Sequence, residues 1–423
     1  MTSRLFHPTR AVGLFAGALM LALILMVASP VRNTAVIAPL MLYAIGYLCT
    51  HRASLTLTRG DRWVLLMLSA YLLSQLPVFV LSDYSSRYLS PGLHMAAAIP
   101  IYLMLRHTLR HSDHRLVGVA LETGVIIAAL GAGLVALWQT QWLGEGRADG
   151  FLFSINFGYL CVLLFGMALT LMQGARWPYW LGLAALSALL AVLLSGTRGA
   201  MLAIPPVLLL LGACRLKQLG WRPLALGLAL MAAAVSLGSQ AFDGVEQRMA
   251  SIGDQFSRML DGDLDNSAGY RLQLWQGAWE ALEQRPLIGS TYPEREAINR
   301  QLAERGEVND WVAGVNRGHA HSQYFELLAT GGLLGALALI AMLVAPGLYY
   351  LRQTLRNPGH RYAASGAIVT LTVALCGLTE SLLQQEMIAA SYGLLQATLL
   401  GLSQEKRLFV VGCGICPLNW PRI

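Results

Sequence analysis

Long apolar stretches recur along the chain from Ala11 to Leu402, separated by short polar segments in which arginine is frequent. A helix needs about 20 apolar residues to cross a bilayer, so each stretch predicts a membrane-spanning helix. The pattern predicts an all-α, polytopic integral membrane protein with about twelve spans. Their predicted limits are 11–28, 34–49, 63–81, 91–105, 116–138, 151–173, 177–194, 199–213, 223–240, 323–351, 362–380 and 387–403.

Composition supports this class. Of 423 residues, 56% are hydrophobic and 13% are charged, whereas soluble domains have roughly 25% charged residues. A soluble enzyme, a secreted disulfide-rich scaffold and a disordered protein are therefore excluded. The spans do not read as two similar halves, so the internal repeats of many secondary transporters are not indicated.

The charge distribution predicts the orientation. With a cytoplasmic N-terminus, the inner segments hold eighteen Lys and Arg residues, and the short outer loops hold four: Arg32, Arg87, Arg147 and Arg198. This bias predicts that both termini are cytoplasmic. Arg4 and Arg10 ahead of the first span also fit a signal peptide, but the length of that span favours an uncleaved helix.

One outer segment, residues 241–322, is much longer than the other loops. Within it, Trp275, Trp279, Leu272 and Leu282 predict an amphipathic helix over 269–284 that can lie in the bilayer interface. We expect four regions: spans one to nine (1–240), a periplasmic loop domain (241–322), spans ten to twelve (323–405) and a cytoplasmic tail (406–423).

Two arginines are candidates for binding an anion. Arg198 lies in the turn between spans seven and eight, where Gly196 and Gly199 let a ligand approach the backbone. Its planar guanidinium matches a phosphate, although such an arginine can also extend to lipid headgroups. Arg271 begins the amphipathic helix, where the helix dipole favours an anion. The alternative is a surface ion pair with an acidic residue such as Glu280.

His321 is the candidate general base, because imidazole accepts protons near neutral pH. A hydrogen-bonded interface histidine is the alternative. Residues two apart on a helix point in different directions. We therefore do not expect His319 to share the task of His321. Glu380 and Glu386, at the outer mouth, could orient an arginine or a hydroxyl. Glu122 is expected to reach water at the cytoplasmic end of span five.

No metal site is expected. His319 and His321 lack the spacing of paired helix ligands and no HExxH is present. Asp261 begins an EF-hand-like run, but Asn266 and Leu272 stand where glycine and glutamate are needed. Cys413 and Cys416 form a single CxxC without the second ligand pair of a structural zinc site.

Several of these residues form two spaced motifs that follow one another along the chain. Arg198 and Leu202 form an Arg-x3-Leu motif, and His321 and Gly332 form a His-x10-Gly motif. Between and after them come further matching positions: Arg271, Trp275, Ala278, Pro286–Gly289, Leu328 and Gly335. With this topology, the chain resembles the O-antigen ligase/polymerase superfamily of bacterial envelope glycosyltransferases. One departure is Thr291, where the superfamily has glycine.

The resemblance implies a GT-C-like, metal-independent, inverting transferase without a cofactor, in the bacterial inner membrane with its active site facing the periplasm. The implied donor is undecaprenyl diphosphate carrying O-antigen, and the implied acceptor is the lipid A-core oligosaccharide. His321, Arg198 and Arg271 would be catalytic, and the two arginines would bind the donor diphosphate. His321 would either accept a proton or hold a phosphate oxygen, and both roles stay open at this point. His319 and Glu380 would contact substrate.

Other activities remain open. An O-antigen polymerase uses the same donor with a lipid-linked acceptor, and a protein O-oligosaccharyltransferase uses a serine or threonine. A lipid-linked glycan transporter would need charges deep in several spans. No nucleic-acid partner is expected.

Overall fold

The computed structural model describes residues 5–111, 114–219, 264–316 and 318–404, in which the regular structure is helical. The all-α prediction is therefore confirmed for these ranges. The α-helices are α1 (Pro8–Val27), α2 (Thr34–His51), α3 (Arg59–Ser74), α4 (Leu76–Leu81), α5 (Ser90–Ala96), α6 (Ala98–Leu109), α7 (Arg115–Leu137), α8 (Ser154–Leu171), α9 (Pro178–Ser195), α10 (Arg198–Leu219), α11 (Ser267–Gln284), α12 (Tyr292–Glu304), α13 (Asp310–Ala313), α14 (Gln323–Leu339), α15 (Ala345–Arg356), α16 (Arg361–Cys376) and α17 (Glu386–Ser403).

Seven helical segments of the described chain are long and apolar enough to cross a membrane, which is consistent with a polytopic membrane protein. These segments are Pro8–Val27, Thr34–Ser54, Arg59–Leu81, Arg115–Trp142, Ser154–Leu171, Pro178–Ser195 and Gln323–Arg356. Shorter apolar helices cover Arg198–Ala213 and Arg361–Cys376. The predicted span 223–240 lies outside the described residues, and the total of twelve stays a prediction.

The helices pack around one continuous apolar core. Helix α7 packs against α1 and α9, α8 packs against α9 and α16, and α17 packs against α5, α6 and α16. The predicted span 91–105 is divided between α5 and α6. Pro100 contributes to this break, because it lacks the N–H that would continue the helical hydrogen bonding.

Glu122 does not reach water as expected. It is 1% exposed, and its carboxylate contacts Arg361 Nη1 at 2.6 Å and accepts a hydrogen bond from the Arg176 backbone N–H at 3.0 Å. A buried carboxylate requires such partners. The contact joins three segments that the charge pattern assigns to one side of the membrane.

The predicted amphipathic helix is confirmed as α11, whose first turn is capped by Asn266. On the predicted apolar face, Leu272 is 38% and Trp279 is 51% exposed, and the location of this face in the bilayer interface stays a prediction. The buried stripe is instead Leu274, Ala278 and Ala281, which belong to a small core with residues of α12 and α14. Small side chains occupy this face because α12 packs closely against it.

Helix α14 breaks at Gly332, which has φ 55° and ψ −137°. The segment after α11 lies in this break: Leu333 N–H donates to the Pro286 carbonyl at 2.8 Å, and Ser290 N–H donates to the Ala329 carbonyl at 2.7 Å. A Cβ on Gly332 would lie 2.6 Å from the Pro286 oxygen. The two glycine-containing motifs therefore meet, backbone to backbone.

We expect Gly332→Ala to lower the thermal stability of the purified protein by several degrees. This backbone conformation is almost restricted to glycine and costs other residues about 1–3 kcal/mol, and the added Cβ also collides with the Pro286 carbonyl. The control is Gly17→Ala in α1, where a Cβ meets nothing within 4 Å. Thermal unfolding in detergent measures both variants, and equal melting temperatures would contradict the expected strain.

Candidate active site

Two histidines and one glutamate meet at the start of α14. Glu380 Oε1 lies 3.3 Å from His319 Nε2, and Glu380 Oε2 lies 3.1 Å from His321 Nδ1. Glu380 is 7% exposed, while the His321 side chain is 34% exposed. The carboxylate is therefore shielded, and the His321 ring is accessible to a substrate.

Residues 318–322, here called the histidine turn, are not helical. His321 has φ 46°, in the left-handed region that side chains with a Cβ rarely adopt. Its backbone N–H donates to His319 Nδ1 at 3.2 Å, and the two rings are 4.2 Å apart. The helical geometry assumed for the two histidines is therefore wrong, whereas the larger role of His321 stays a prediction.

These contacts define how the rings are protonated. If His321 donates its Nδ1–H to Glu380, the Nε2 atom carries the lone pair and can accept a proton. A carboxylate that orients a histidine in this way also stabilises the imidazolium that forms. His319 accepts at Nδ1 and donates from Nε2, so its neutral form satisfies both contacts.

The surroundings of Glu380 and His319 favour a charged carboxylate next to an uncharged imidazole. Burial alone raises the pKa of Glu380, but the hydrogen bond from His321 and the nearby imidazoles outweigh burial and hold this pKa below its ordinary value. Burial lowers the pKa of His319, against the opposing effect of the Glu380 carboxylate. Near neutral pH, Glu380 is a carboxylate and His319 is uncharged.

Gln323 holds Glu380 in place. Its backbone N–H donates to the Gly377 carbonyl at 2.7 Å, and its side-chain Oε1 accepts from the Leu383 N–H at 2.7 Å. Gln323 thus bridges both ends of the segment that carries Glu380. That segment lies beyond the end of α16 at Cys376, so Glu380 is outside the helix that the predicted span 362–380 assigned to it.

Arg198 begins α10, directly after a left-handed turn at Gly196 with φ 58°. Arg147 holds this turn, donating from Nε to the Ser195 carbonyl at 2.8 Å and from Nη2 to Thr197 Oγ1 at 3.2 Å. The sequence offered no signal for Arg147 beyond its place in a short outer loop.

The Arg198 turn adjoins the Glu380 segment through Tyr159. The Tyr159 hydroxyl lies 2.6 Å from Thr379 Oγ1, and a Cβ on Gly199 would meet both oxygens, at 2.3 and 2.6 Å. Thr379 directly precedes Glu380. Only glycine at position 199 allows this approach, which accounts for the residue that follows Arg198.

Arg271 lies near the start of α11, one helical turn before Trp275. The Trp275 Nε1–H donates to the carbonyl of Ala320, between the two histidines, at 2.9 Å. The structure therefore brings His319, His321 and Glu380 into contact. It places the turn that carries Arg198 beside Thr379 through Tyr159, and it places α11, which carries Arg271, against the histidine turn. Tyr159 and Thr379 were missed, because a hydroxyl within an apolar helix or turn gives no sequence signal for a contact 220 positions away.

Two other predicted acidic residues have different partners. Glu386 accepts a hydrogen bond from Ser90 and lies 4.0 Å from His94. Glu280 accepts from Gln284 within α11. Thr291, the departure from the superfamily pattern, donates to the Glu294 carboxylate at 2.8 Å at the start of α12.

His319, His321 and Glu380 are also the described residues that could hold a metal ion, since their ligand atoms lie within 4.8 Å of one another. Two histidines and a glutamate form one type of catalytic zinc site. Here the carboxylate oxygens are engaged with both rings at hydrogen-bond distances. A cation would have to replace these contacts.

Comparison with known proteins points to one family. Residues 183–340 match the family profile Wzy_C, described as O-antigen ligase. Arg198, Arg271 and His321 all lie within this match. An uncharacterized protein from Haemophilus influenzae is 22% identical over 333 residues, which cover 75% of this chain and 80% of that protein.

We expect Glu380→Gln to remove part of the pH dependence of stability. Because the folded-state pKa of Glu380 is lowered, its stabilising effect is complete above the unfolded value of about 4.3 and is lost as the pH falls through the folded value. The variant should melt several degrees below the wild type at pH 7, and the difference should shrink below about pH 4.3.

Melting temperatures measured from pH 7.5 to pH 3.5 test this expectation. Glu386→Gln is the control, because the Glu386 side chain is 46% exposed and an exposed contact contributes little. A difference between wild type and Glu380→Gln that stays constant with pH would show that the carboxylate does not stabilise the site.

Proposed function

We propose that this chain transfers O-antigen from undecaprenyl diphosphate to the lipid A-core oligosaccharide, on the basis of the match of residues 183–340 to the O-antigen ligase profile. This match supports a lipid-linked glycan transferase of envelope polysaccharide synthesis in a multi-pass membrane protein. The acceptor, the inner-membrane location and the periplasmic active site belong to the proposal.

The observation that carries the proposal is the oriented His321–Glu380 pair, next to the turn that carries Arg198 and the helix that carries Arg271. A hydroxyl group of the acceptor sugar gives its proton to His321 Nε2 as its oxygen bonds to the anomeric carbon of the donor. The bond between that carbon and the diphosphate oxygen breaks, and its electron pair stays on the diphosphate. Direct displacement inverts the anomeric centre, and Glu380 stabilises the resulting imidazolium.

Arg198 and Arg271 are proposed to bind the diphosphate as its negative charge increases. Two guanidinium groups can supply the stabilisation that a metal ion gives in other phosphate chemistry. We therefore propose that the reaction needs no divalent cation. The positive bias of the opposite loops supports placing this site on the periplasmic side.

Deletion of the gene in the source bacterium tests the acceptor. A ligase predicts loss of all O-antigen bands from lipopolysaccharide, together with accumulation of the polymer on its lipid carrier. Core capped by a single repeat would indicate a polymerase, and a lost glycoprotein would indicate a protein acceptor. Purified protein with lipid-linked donor and lipid A-core should transfer glycan in EDTA. Activity restored only by magnesium or manganese would contradict the metal-free mechanism.

We expect Arg271→Ala to reduce the rate of transfer about 10²–10³-fold, the typical effect of losing one charge-stabilising donor. Arg271→Lys should recover little, because lysine keeps the charge but loses the planar pair of donors. The same order is expected for Arg198→Lys and Arg198→Ala. Initial rates at saturating acceptor measure the effect.

Arg305→Ala is the control for the arginine series. Arg305 belongs to the same outer segment, its side chain is 51% exposed, and it pairs with Glu307 at 3.2 Å. An exposed ion pair contributes little to stability, so this variant should transfer glycan normally. A folded Arg271→Ala protein with near-normal transfer would remove Arg271 from the proposed diphosphate site.

A further inference from the structure

Ala320, which separates the two histidines, is held at both of its backbone polar groups. Its N–H donates to Glu326 Oε2 at 2.8 Å, and its carbonyl accepts from Trp275 Nε1 at 2.9 Å. Ala320 is fully buried. These two hydrogen bonds fix the peptide groups from which the His319 and His321 side chains project.

Glu326 is a rigid support for this turn. It is 1% exposed, and Arg295 Nη1 lies 3.0 Å from each of its oxygens. Its Oε1 atom also accepts from the Tyr292 hydroxyl at 3.1 Å and from Gln384 Nε2 at 2.7 Å. A buried carboxylate with this many donors has little freedom to reorient, because each lost partner is costly.

Trp275 is held almost as firmly. It is partly buried, and its ring stacks on Phe325 with centroids 5.0 Å apart and an interplanar angle of 14°. Trp275 lies one helical turn after Arg271, on the same face of α11. The helix that carries Arg271 therefore also holds the histidine turn.

We propose that Trp275 and Glu326 are positioning residues that keep the histidine turn in its active geometry. A left-handed conformation at His321 persists only where surrounding contacts impose it, and the two bonds to Ala320 are such contacts. These bonds keep both imidazoles within hydrogen-bond distance of the Glu380 carboxylate. That these two residues hold the turn does not depend on what the protein catalyses, whereas the effect on catalysis rests on the proposed function.

Trp275→Phe separates the hydrogen bond from the packing, because phenylalanine keeps an aromatic ring against Phe325 and lacks the Nε1–H. Amide hydrogen exchange of the full-length protein in detergent, followed by mass spectrometry of peptides that cover 318–322, reports on the turn. We expect exchange about five- to tenfold faster, the effect of losing one ordinary hydrogen bond. Unchanged exchange would overturn the proposal.

Trp279→Phe is the matched control. Trp279 lies one turn further along α11, is 51% exposed and donates from Nε1 to Glu283 at 2.8 Å. It loses the same kind of bond, away from the histidine turn, and should leave exchange at 318–322 unchanged. Faster exchange in both variants would point to a general loosening of α11 and would overturn the proposal.

Transfer kinetics test the catalytic consequence. A displacement of about 1 Å can cost roughly 10²-fold in rate, so Trp275→Phe should lower kcat by about 10- to 10²-fold with the KM for the donor nearly unchanged. A purely structural role would lower the amount of folded protein without altering its kcat. Faster exchange with normal kcat would therefore overturn the positioning role.

Two further outcomes are distinguishable. If the wild-type protein transfers no glycan, the proposed function fails, and hydrogen exchange still decides whether Trp275 holds the turn.

Glu326→Gln alone leaves the Arg295 charge buried without its partner and is expected to unfold readily. The double variant Arg295→Gln with Glu326→Gln avoids this, and it should also increase exchange at 318–322.

Discussion

A carboxylate among apolar helices must be surrounded by donors, because an ion without partners costs several kcal/mol there. Glu326 meets this requirement with groups from three separate segments: Arg295 and Tyr292 of α12, the Ala320 N–H and Gln384. The polar groups of α12, the histidine turn and the turn before α17 can all find their partners only when these three segments meet at this point. The placement of His321 follows from this requirement.

A second buried carboxylate of the bundle is also surrounded by donors from separate segments. Glu122 of α7 brings together Arg361 at the start of α16 and the backbone at Arg176. Apolar packing between the helices is non-directional, whereas a hydrogen-bonded carboxylate accepts donors only from particular directions. These two buried acids therefore select which helix ends are neighbours, and the apolar side chains fill the space between them.

Motif spacing identified Arg198, Arg271, His321 and Gly332, because each needs a particular residue type at a particular distance along the chain. Glu380 was recognisable as a costly carboxylate near the membrane, but its partners were not, since they lie about 60 positions away. Glu326 carries the same signal and was overlooked within the tenth apolar stretch. Arg147, Tyr159 and Thr379 could not be predicted, because their roles arise only from tertiary contacts.

The sequence also predicted α11 but not which of its faces would be buried. Leu272 and Trp279 are more hydrophobic than Ala278 and Ala281, so periodicity placed them on the apolar face that was predicted to lie in the bilayer interface. The close approach of α12 instead selects small side chains. The sequence of one helix shows how many apolar side chains it has, whereas packing against the neighbouring helix determines which of them are buried.

The break at Gly332 divides the tenth apolar stretch into two parts with different requirements during biosynthesis. From Leu333 to Arg356 the chain continues for about 24 residues, enough to cross a hydrocarbon core of about 30 Å. The part before Gly332 carries Gln323 and Glu326, whose polar groups find their partners in segments outside the span. The second part therefore meets the requirement for crossing a bilayer by itself, whereas the first part needs its polar partners packed against it. From this division we expect two stages of maturation, membrane insertion first and packing of those partners afterwards, with the site assembled in the second stage.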